Sequence, residues 1–332
     1  MTELIEKTAM ERCADIPEGD AVAVTASAGT TADLYGYEND ITVVPKESSI
    51  LSGRKKYVRY YSVNTSMYKE FISIFMPTRS AYIRYDVVHN EIADINSDVW
   101  RIEKAYLCDN RLQNPVAITE VGEWELAVRL KDRPDFSGGR MHGDEILDTI
   151  IFYVNGVETD VTTLTDMTEF ESFSFIQTSH LYDPNDNITL IAEHGSEHIF
   201  DGKLTINQSL LWKVAEQLEN CYMAMFPISK KYSDKYYTDA NFTITELTGK
   251  LQTVPNAKTA NIFSAAHGLQ SIFAITEYPS RFGSGAFLTT DNTPDQTGLY
   301  NKCYYVITSG KDSESSEVDE LWKTQTIYDI RY

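Results

Sequence analysis

An antiparallel β-sandwich, mostly β, jelly-roll-like and with few short helices, is the fold that this 332-residue sequence predicts. Three observations predict it. The 21 Tyr and 14 Phe stand beside β-branched residues in short runs broken by Gly, Asn, Asp and Pro, the usual alternation of strands and turns. Several runs alternate apolar with polar residues, the period of a sheet with one wet face. No regular helical pattern separates the runs, which argues against a βαβ order.

The strands follow in order. Tyr57–Val63, Phe71–Met76 and Ala81–Val88 open the series, and Trp124–Leu130 alternates Trp124, Leu126, Val128 and Leu130 with polar residues. Ile150–Val154, Phe173–His180, Ile188–Ala192 and Lys203–Leu210 continue it, and Leu321–Arg331 closes it after the polar segment from Ser309 to Val318. Asn155-Gly156 is a two-residue hairpin signal, because both residues accept the positive φ of a type I′ turn. Asp183–Asn187 and Asp201-Gly202 mark further reversals. The best helical patterns are Thr2–Cys13 and Ser209–Cys221. The second falls in a segment whose apolar stripe, Leu211, Val214, Leu218 and Met225, suits a cover helix or a pair of strands.

Residues 1–40 read as an N-terminal arm or attachment segment, with nine carboxylates against Lys7 and Arg12. Residues 41–332 read as the sandwich, with a subdivision placed near 203–225. The start lacks a signal peptide, and no run reaches the roughly 20 apolar residues of a membrane-spanning helix, so membrane insertion is not expected. Cys13, Cys108, Cys221 and Cys303 lie too far apart for a zinc pattern and form no disulfide framework.

The formal net charge is −20, which disfavours nucleic acid as a partner. Its distribution is uneven. From Met141 to Gly202 there is no Lys or Arg, while 13 carboxylates and four of the six His fall there. A histidine among carboxylates keeps its proton to higher pH, which makes it a candidate acid, base or ligand.

Ser137–Glu145 is the densest cluster of reactive side chains. On a strand Arg140, His142 and Asp144 share a face, with Glu145 beside them, and that set suits an anionic sugar and a proton transfer. Gln177 and His180 end another strand and face opposite ways unless a bulge intervenes. Tyr300, Lys302 and Tyr304 share a face of a late strand, where tyrosines stack on sugars or donate protons; Cys303 and Tyr305 take the other face. His194–His198 has the H-x-x-E-H spacing of a zinc peptidase helix, but its Gly-Ser centre reads instead as a hairpin connection. No cofactor is expected. A calcium ion on Asp183, Asn185 and Asp186 is a weaker option, since the turn is oxygen-rich but lacks EF-hand spacing. There is no nucleophile elbow, P-loop or dinucleotide fingerprint.

The order Arg140/His142, Gln177/His180, Tyr300/Lys302/Tyr304 resembles the jelly-roll polysaccharide lyases. That resemblance implies that Arg140 and Gln177 neutralise a uronate, that His142 or His180 is the base, and that Tyr300 or Tyr304 is the acid. The whole chain, acidic, Tyr-rich and β, also resembles bacteriophage tail fibre and receptor-binding proteins. That likeness implies a virion-associated protein that recognises a cell-surface glycan, released by host lysis and active outside the cell. It further implies contacts with other tail proteins through residues 1–40 and a homo-oligomer, a trimer by analogy. A polysaccharide-degrading enzyme and a purely structural virion protein are the alternative expectations.

Overall fold

Tyr328 shows how the layers are joined. Its ring packs on Trp124 and Phe226, and its hydroxyl donates to the carbonyls of Trp124 at 3.0 Å and Met225 at 2.9 Å. Trp124 leads into one sheet's edge strand, Met225 lies within that sheet, and Tyr328 belongs to the other. The computed structural model describes residues 53–332 except 64, 66–67, 120–121, 123, 249–250, 283–285, 292–298 and 310–313. Before residue 53 it describes four short strands, which pair as Val22–Ala26 with Ile41–Pro45 and Ala32–Asp33 with Gly36–Tyr37. The expected helix Thr2–Cys13 lies outside the described residues.

The protein is mostly β, as its aromatic and β-branched runs predict. A sixteen-stranded sheet runs from Thr168–Phe170 through Lys56–Ser62, Tyr68–Pro77, Tyr82–Ile92 and Ser97–Cys108. It continues through Glu145–Val154, Phe173–Tyr182, Leu190–Phe200, Leu204–Trp212 and Leu321–Arg331 to Leu269–Glu277, Thr259–Ser264, Lys235–Thr238 and Asn241–Glu246. A five-stranded sheet packs on it, in the order Ala127–Leu130, Leu218–Ser229, Tyr300–Ser309, Ala286–Asp291 and Gln252–Pro255. Among the described strands pairing is antiparallel, except where Glu145 and Ile146 lie parallel to Ser97 and Asp98.

Between the sheets lies one large apolar cluster. Phe173, Phe175, Phe200, Phe273 and Tyr328 come from the large sheet, and Ala224, Phe226, Phe287, Cys303 and Tyr305 from the small one. Burying each large apolar side chain contributes about 1.5–3 kcal/mol, and edge-to-face rings such as Phe226–Tyr328 add directional contacts. The Asn155-Gly156 hairpin forms as predicted, with φ of 53° and 74° and Val154 opposite Val157.

Three local expectations are corrected. Ser209–Cys221 is not a helix: Leu204–Trp212 ends in the large sheet, residues 213–217 cross over, and Leu218–Ser229 enters the small sheet. Its helical period was overridden by pairing on both sides of the crossover. His194–His198 is no hairpin connection but the middle of strand Leu190–Phe200. A four-residue spacing is one helical turn and also two strand repeats, so both histidines face inward here too. Finally, the run at Trp124 has no wet face at Glu125, which is buried against His198.

Candidate functional site

The segment from Ser137 to Glu145 is a closed loop rather than a strand, and three glycines shape it. Gly138, Gly139 and Gly143 have φ of 81°, 72° and 77°, values that L side chains rarely adopt. Gly143 is also sterically required, since a Cβ there would lie 1.8 Å from the carbonyl oxygen of Ile95. The loop closes through Gly138 N–H to Gly143 C=O at 2.7 Å and is anchored by Ser137 Oγ on the Tyr182 carbonyl at 2.7 Å. Gly139–His142 forms a single helical turn inside it. Arg140 and His142 therefore do not share a strand face, and the side chain of Arg140 lies outside the described part of the structure. Asp144 turns inward at φ 52°, where burial raises its pKa, and its carboxylate accepts from Asn96 at 3.3 Å.

His142 emerges on the outer face of the five-stranded sheet, 30% exposed. Its Nδ1 lies 2.8 Å from Asp135, and its ring lies 4.8 Å from that of Phe136. Phe136 continues to Tyr222 at 6.0 Å, and Tyr222 to Tyr304 at 4.9 Å. Residues 142 and 304, far apart in sequence, are thus linked by a strip of four rings. Strand register explains the strip: Ala127 lies opposite Tyr222, and Met225 opposite Tyr304, so these residues share the outer face. Arg129 stacks over Phe136 and pairs with Glu219 at 3.2 Å. Tyr222 donates its hydroxyl to Asn220 at 3.0 Å, so amide, carboxylate and guanidinium groups border the rings.

Tyr300 and Lys302 share that outer face with Tyr304, as the strand period predicts, while Cys303 and Tyr305 enter the core. Tyr304 itself is largely buried against Met225 and Val306. The remaining candidates go elsewhere. Gln177 is buried between the sheets, where its Oε1 accepts the Trp100 N–H at 2.7 Å. His180 points to the other side of its strand, because that strand alternates unbroken from 177 to 180 and the irregularity opposite Thr178 and Ser179 lies in its neighbour Glu145–Val154. The groove that a lyase reading needs is therefore not assembled: Gln177 lies inside, and His180 and Tyr304 lie on different sheets.

Glu145 is also internal. It binds the Arg101 guanidinium, accepts from Ser179 Oγ at 2.6 Å, and lies 2.9 Å from His194 Nδ1. Burial alone would raise its pKa, but Arg101 and His194 outweigh burial and hold the carboxyl well below the usual range. Nearby, His198 Nε2 donates to Glu125 at 2.9 Å while its ring stacks on Phe175 at 4.2 Å. Burial lowers the His198 pKa against the opposing pull of Glu125. These groups serve a corner. Beyond the two-residue parallel pairing, strand Ser97–Cys108 diverges from Glu145–Val154, and side chains take over its backbone donors: Gln177 for Trp100, Glu125 for Ile102 at 3.1 Å, and Thr119 for Ala105 at 2.8 Å. From the same corner a polar row, Gln177, Ser196, Gln208 and Thr324, crosses four neighbouring strands on the inner face.

The turn proposed for calcium is otherwise engaged. Asp183 pairs with Arg133 at 2.7 Å and accepts the Asn185 N–H, and Asp186 caps Ile188 and Thr189. Among the described residues no three His, Cys, Asp or Glu side chains are grouped to hold a metal ion, and no helix is long and apolar enough to cross a membrane.

One cluster escaped sequence reasoning. His89 bridges two carboxylates, Glu70 at 3.1 Å and Asp98 at 2.8 Å, and Tyr60 donates to the same Glu70 at 2.7 Å. Each partner sits on a different strand, so only the register brings them together.

No family model and no curated protein matches the sequence. Among solved structures, the chain is similar to a galactose 1-epimerase from Lactobacillus acidophilus (TM-score 0.45, 10% identity, 82% of this chain and 98% of that one). It is also similar to a mutarotase candidate from Salmonella typhimurium (0.42, 8%, 82% and 97%) and an aldose epimerase homologue from C. elegans (0.38, 8%, 78% and 99%). Likeness at this level bears on neither substrate nor catalytic residues. The three structures named are described as sugar epimerases or mutarotases or their homologues, and none as a tail fibre or jelly-roll lyase, so the expected resemblance and the virion-associated receptor-binding reading are corrected.

Proposed function

We propose that this protein recognises a carbohydrate on the outer face of its five-stranded sheet. The observation that supports this reading is the ring strip His142–Phe136–Tyr222–Tyr304, bordered by Asp135, Arg129, Glu219 and Asn220. Sugar rings present axial C–H groups to aromatic faces and hydroxyls to planar carboxylates and amides, and the strip offers both kinds of partner side by side. Asp135 and His142 stand at its exposed end, where a hydroxyl can take one carboxylate oxygen without breaking the pair.

A glycan array followed by titration of the retained sugar tests the proposal. Tyr222→Ala and Phe136→Ala should each weaken binding at least tenfold while the protein still unfolds cooperatively well above the assay temperature, and Ile188→Ala, at an exposed turn, should leave binding intact. Retention of no sugar, or full affinity in both ring variants, would overturn it.

A further inference from the structure

Strands Tyr82–Ile92 and Ser97–Cys108 pair antiparallel, with Val88 opposite Arg101, Asn90 opposite Val99 and Ile92 opposite Ser97. Opposite residues share a face, so Asn90, Ser97 and Arg101 stand together on one side of this hairpin, with Ser97 and Arg101 as the diagonal neighbours of Asn90. All three are closed to solvent, at 0%, 3% and 0% exposure. Val88 and Val99, which lie among them on that face, carry no polar side-chain atom.

Four polar atoms of the group have no hydrogen-bond partner among the described residues: Asn90 Oδ1 and Nδ2, Ser97 Oγ and Arg101 Nε. Arg101 directs its other two nitrogens elsewhere, Nη1 to the Trp100 carbonyl at 3.2 Å and Nη2 to Glu145. A buried polar atom without a bond is costly, and native interiors satisfy nearly all of them with protein groups or ordered water. The whole Asn90 carboxamide is in that position, which no strand pairing requires.

Charge and size decide what fits. The one charge in the group, on Arg101, is already balanced by Glu145, so an ion has nothing here to neutralise. Arg101 Nε and Asn90 Nδ2 only donate, Asn90 Oδ1 only accepts, and Ser97 Oγ does either, so the occupant must both accept and donate. Burial on every side limits it to the smallest such molecule.

We propose that Asn90, Ser97 and Arg101 hold an ordered buried water as a stabilising part of the interior, joining the two strands beside the Arg101–Glu145 pair. The turn between these strands also carries the carbonyls of Ile95 and Asn96, which accept the N–H groups of Asp144 at 2.9 Å and Glu145 at 3.1 Å. The site thus lies at the foot of the loop that holds His142, and it does not depend on the carbohydrate reading.

A crystal structure of the full chain at about 1.5 Å resolution tests the proposal, read for a water peak within hydrogen-bond distance of Asn90 and of Ser97 or Arg101. A well-occupied peak is expected there, matched in solution by a water cross-relaxation signal at the Asn90 side-chain amide protons. Asn90→Leu, close in shape, tells a hydrated carboxamide from a dry one. With water bound, the substitution strips it of partners, so the peak should vanish and the thermal midpoint should fall; a dry carboxamide would be relieved and the midpoint would rise. Absence of the peak, with the four atoms bonded to protein groups or to nothing, would overturn the proposal whether or not the variant folds. A higher midpoint in Asn90→Leu would overturn it as well.

Discussion

Glu145 and His194, 49 residues apart, meet at 2.9 Å with neither side chain reaching water. Arg101 closes the group on the other carboxylate oxygen, so a cation from outside the acidic stretch neutralises the most buried of its carboxylates. Other partners also come from outside it: Arg133 for Asp183, Lys213 for Glu193 and Lys55 for Glu169.

Glu145→Gln should destabilise the protein by about 3–5 kcal/mol, because Arg101 is left buried without its counter-charge. Replacing Arg101 and Glu145 together by Met should recover much of that loss. Because the folded pKa of Glu145 is depressed, its contribution is present above the unfolded value of about 4.3 and is lost as pH falls below it. Urea unfolding of the three proteins at pH 7 and at about pH 3, inside the window where the contribution is being lost, measures both effects, and a single variant as stable as the parent would contradict the first.

His198 predicts a second pH dependence with a separate window. Its folded pKa lies below the unfolded value of about 6.5, so protons bind the unfolded chain preferentially as pH falls below that point. Stability should therefore drop between pH 7.5 and 5.5. In His198→Gln, which keeps a donor for Glu125, the drop should be smaller; an equal drop would assign it to other groups.

Gly143→Ala should cost more than 2 kcal/mol, roughly the sum of left-handed strain and a backbone collision, and should release the loop that carries His142. Gly156→Ala shares a positive φ but meets open space, so about 1 kcal/mol is expected there. Thermal unfolding ranks the two, and a reversed order would refute the role given to Ile95.

Burial raises the pKa of Cys108, Cys221 and Cys303 and keeps all three from solvent. A Cys13→Ser variant should therefore take up no thiol-reactive dye at pH 8 until it is unfolded, when three equivalents should react. Rapid labelling of the folded variant would show that one of these sites opens.

Particular residues show how far the sequence could be read. Asn155-Gly156 was legible because a type I′ turn is written in two adjacent residues. The shared outer face of Tyr300, Lys302 and Tyr304 was legible because it follows from a period of two. The Ser137–Glu145 cluster was found for its composition but not its shape, since its strand reading missed that three positive-φ glycines coil it into a loop. His142 was therefore picked out as a candidate with the wrong neighbours, Arg140 and Asp144 in place of Asp135 and Phe136. His89 was passed over because Glu70 and Asp98 reach it from the two adjoining strands.

By itself the sequence determined the sandwich class, most strand positions and the concentration of negative charge, because alternation, turn chemistry and charge are properties of neighbouring residues. Only the tertiary structure decided which charges are compensated, which histidines face water and which rings line up. Those depend on strand register and on the corner where Ser97–Cys108 leaves Glu145–Val154. A one-residue slip there would exchange the inner face for the outer one, and with it every partner of Glu145.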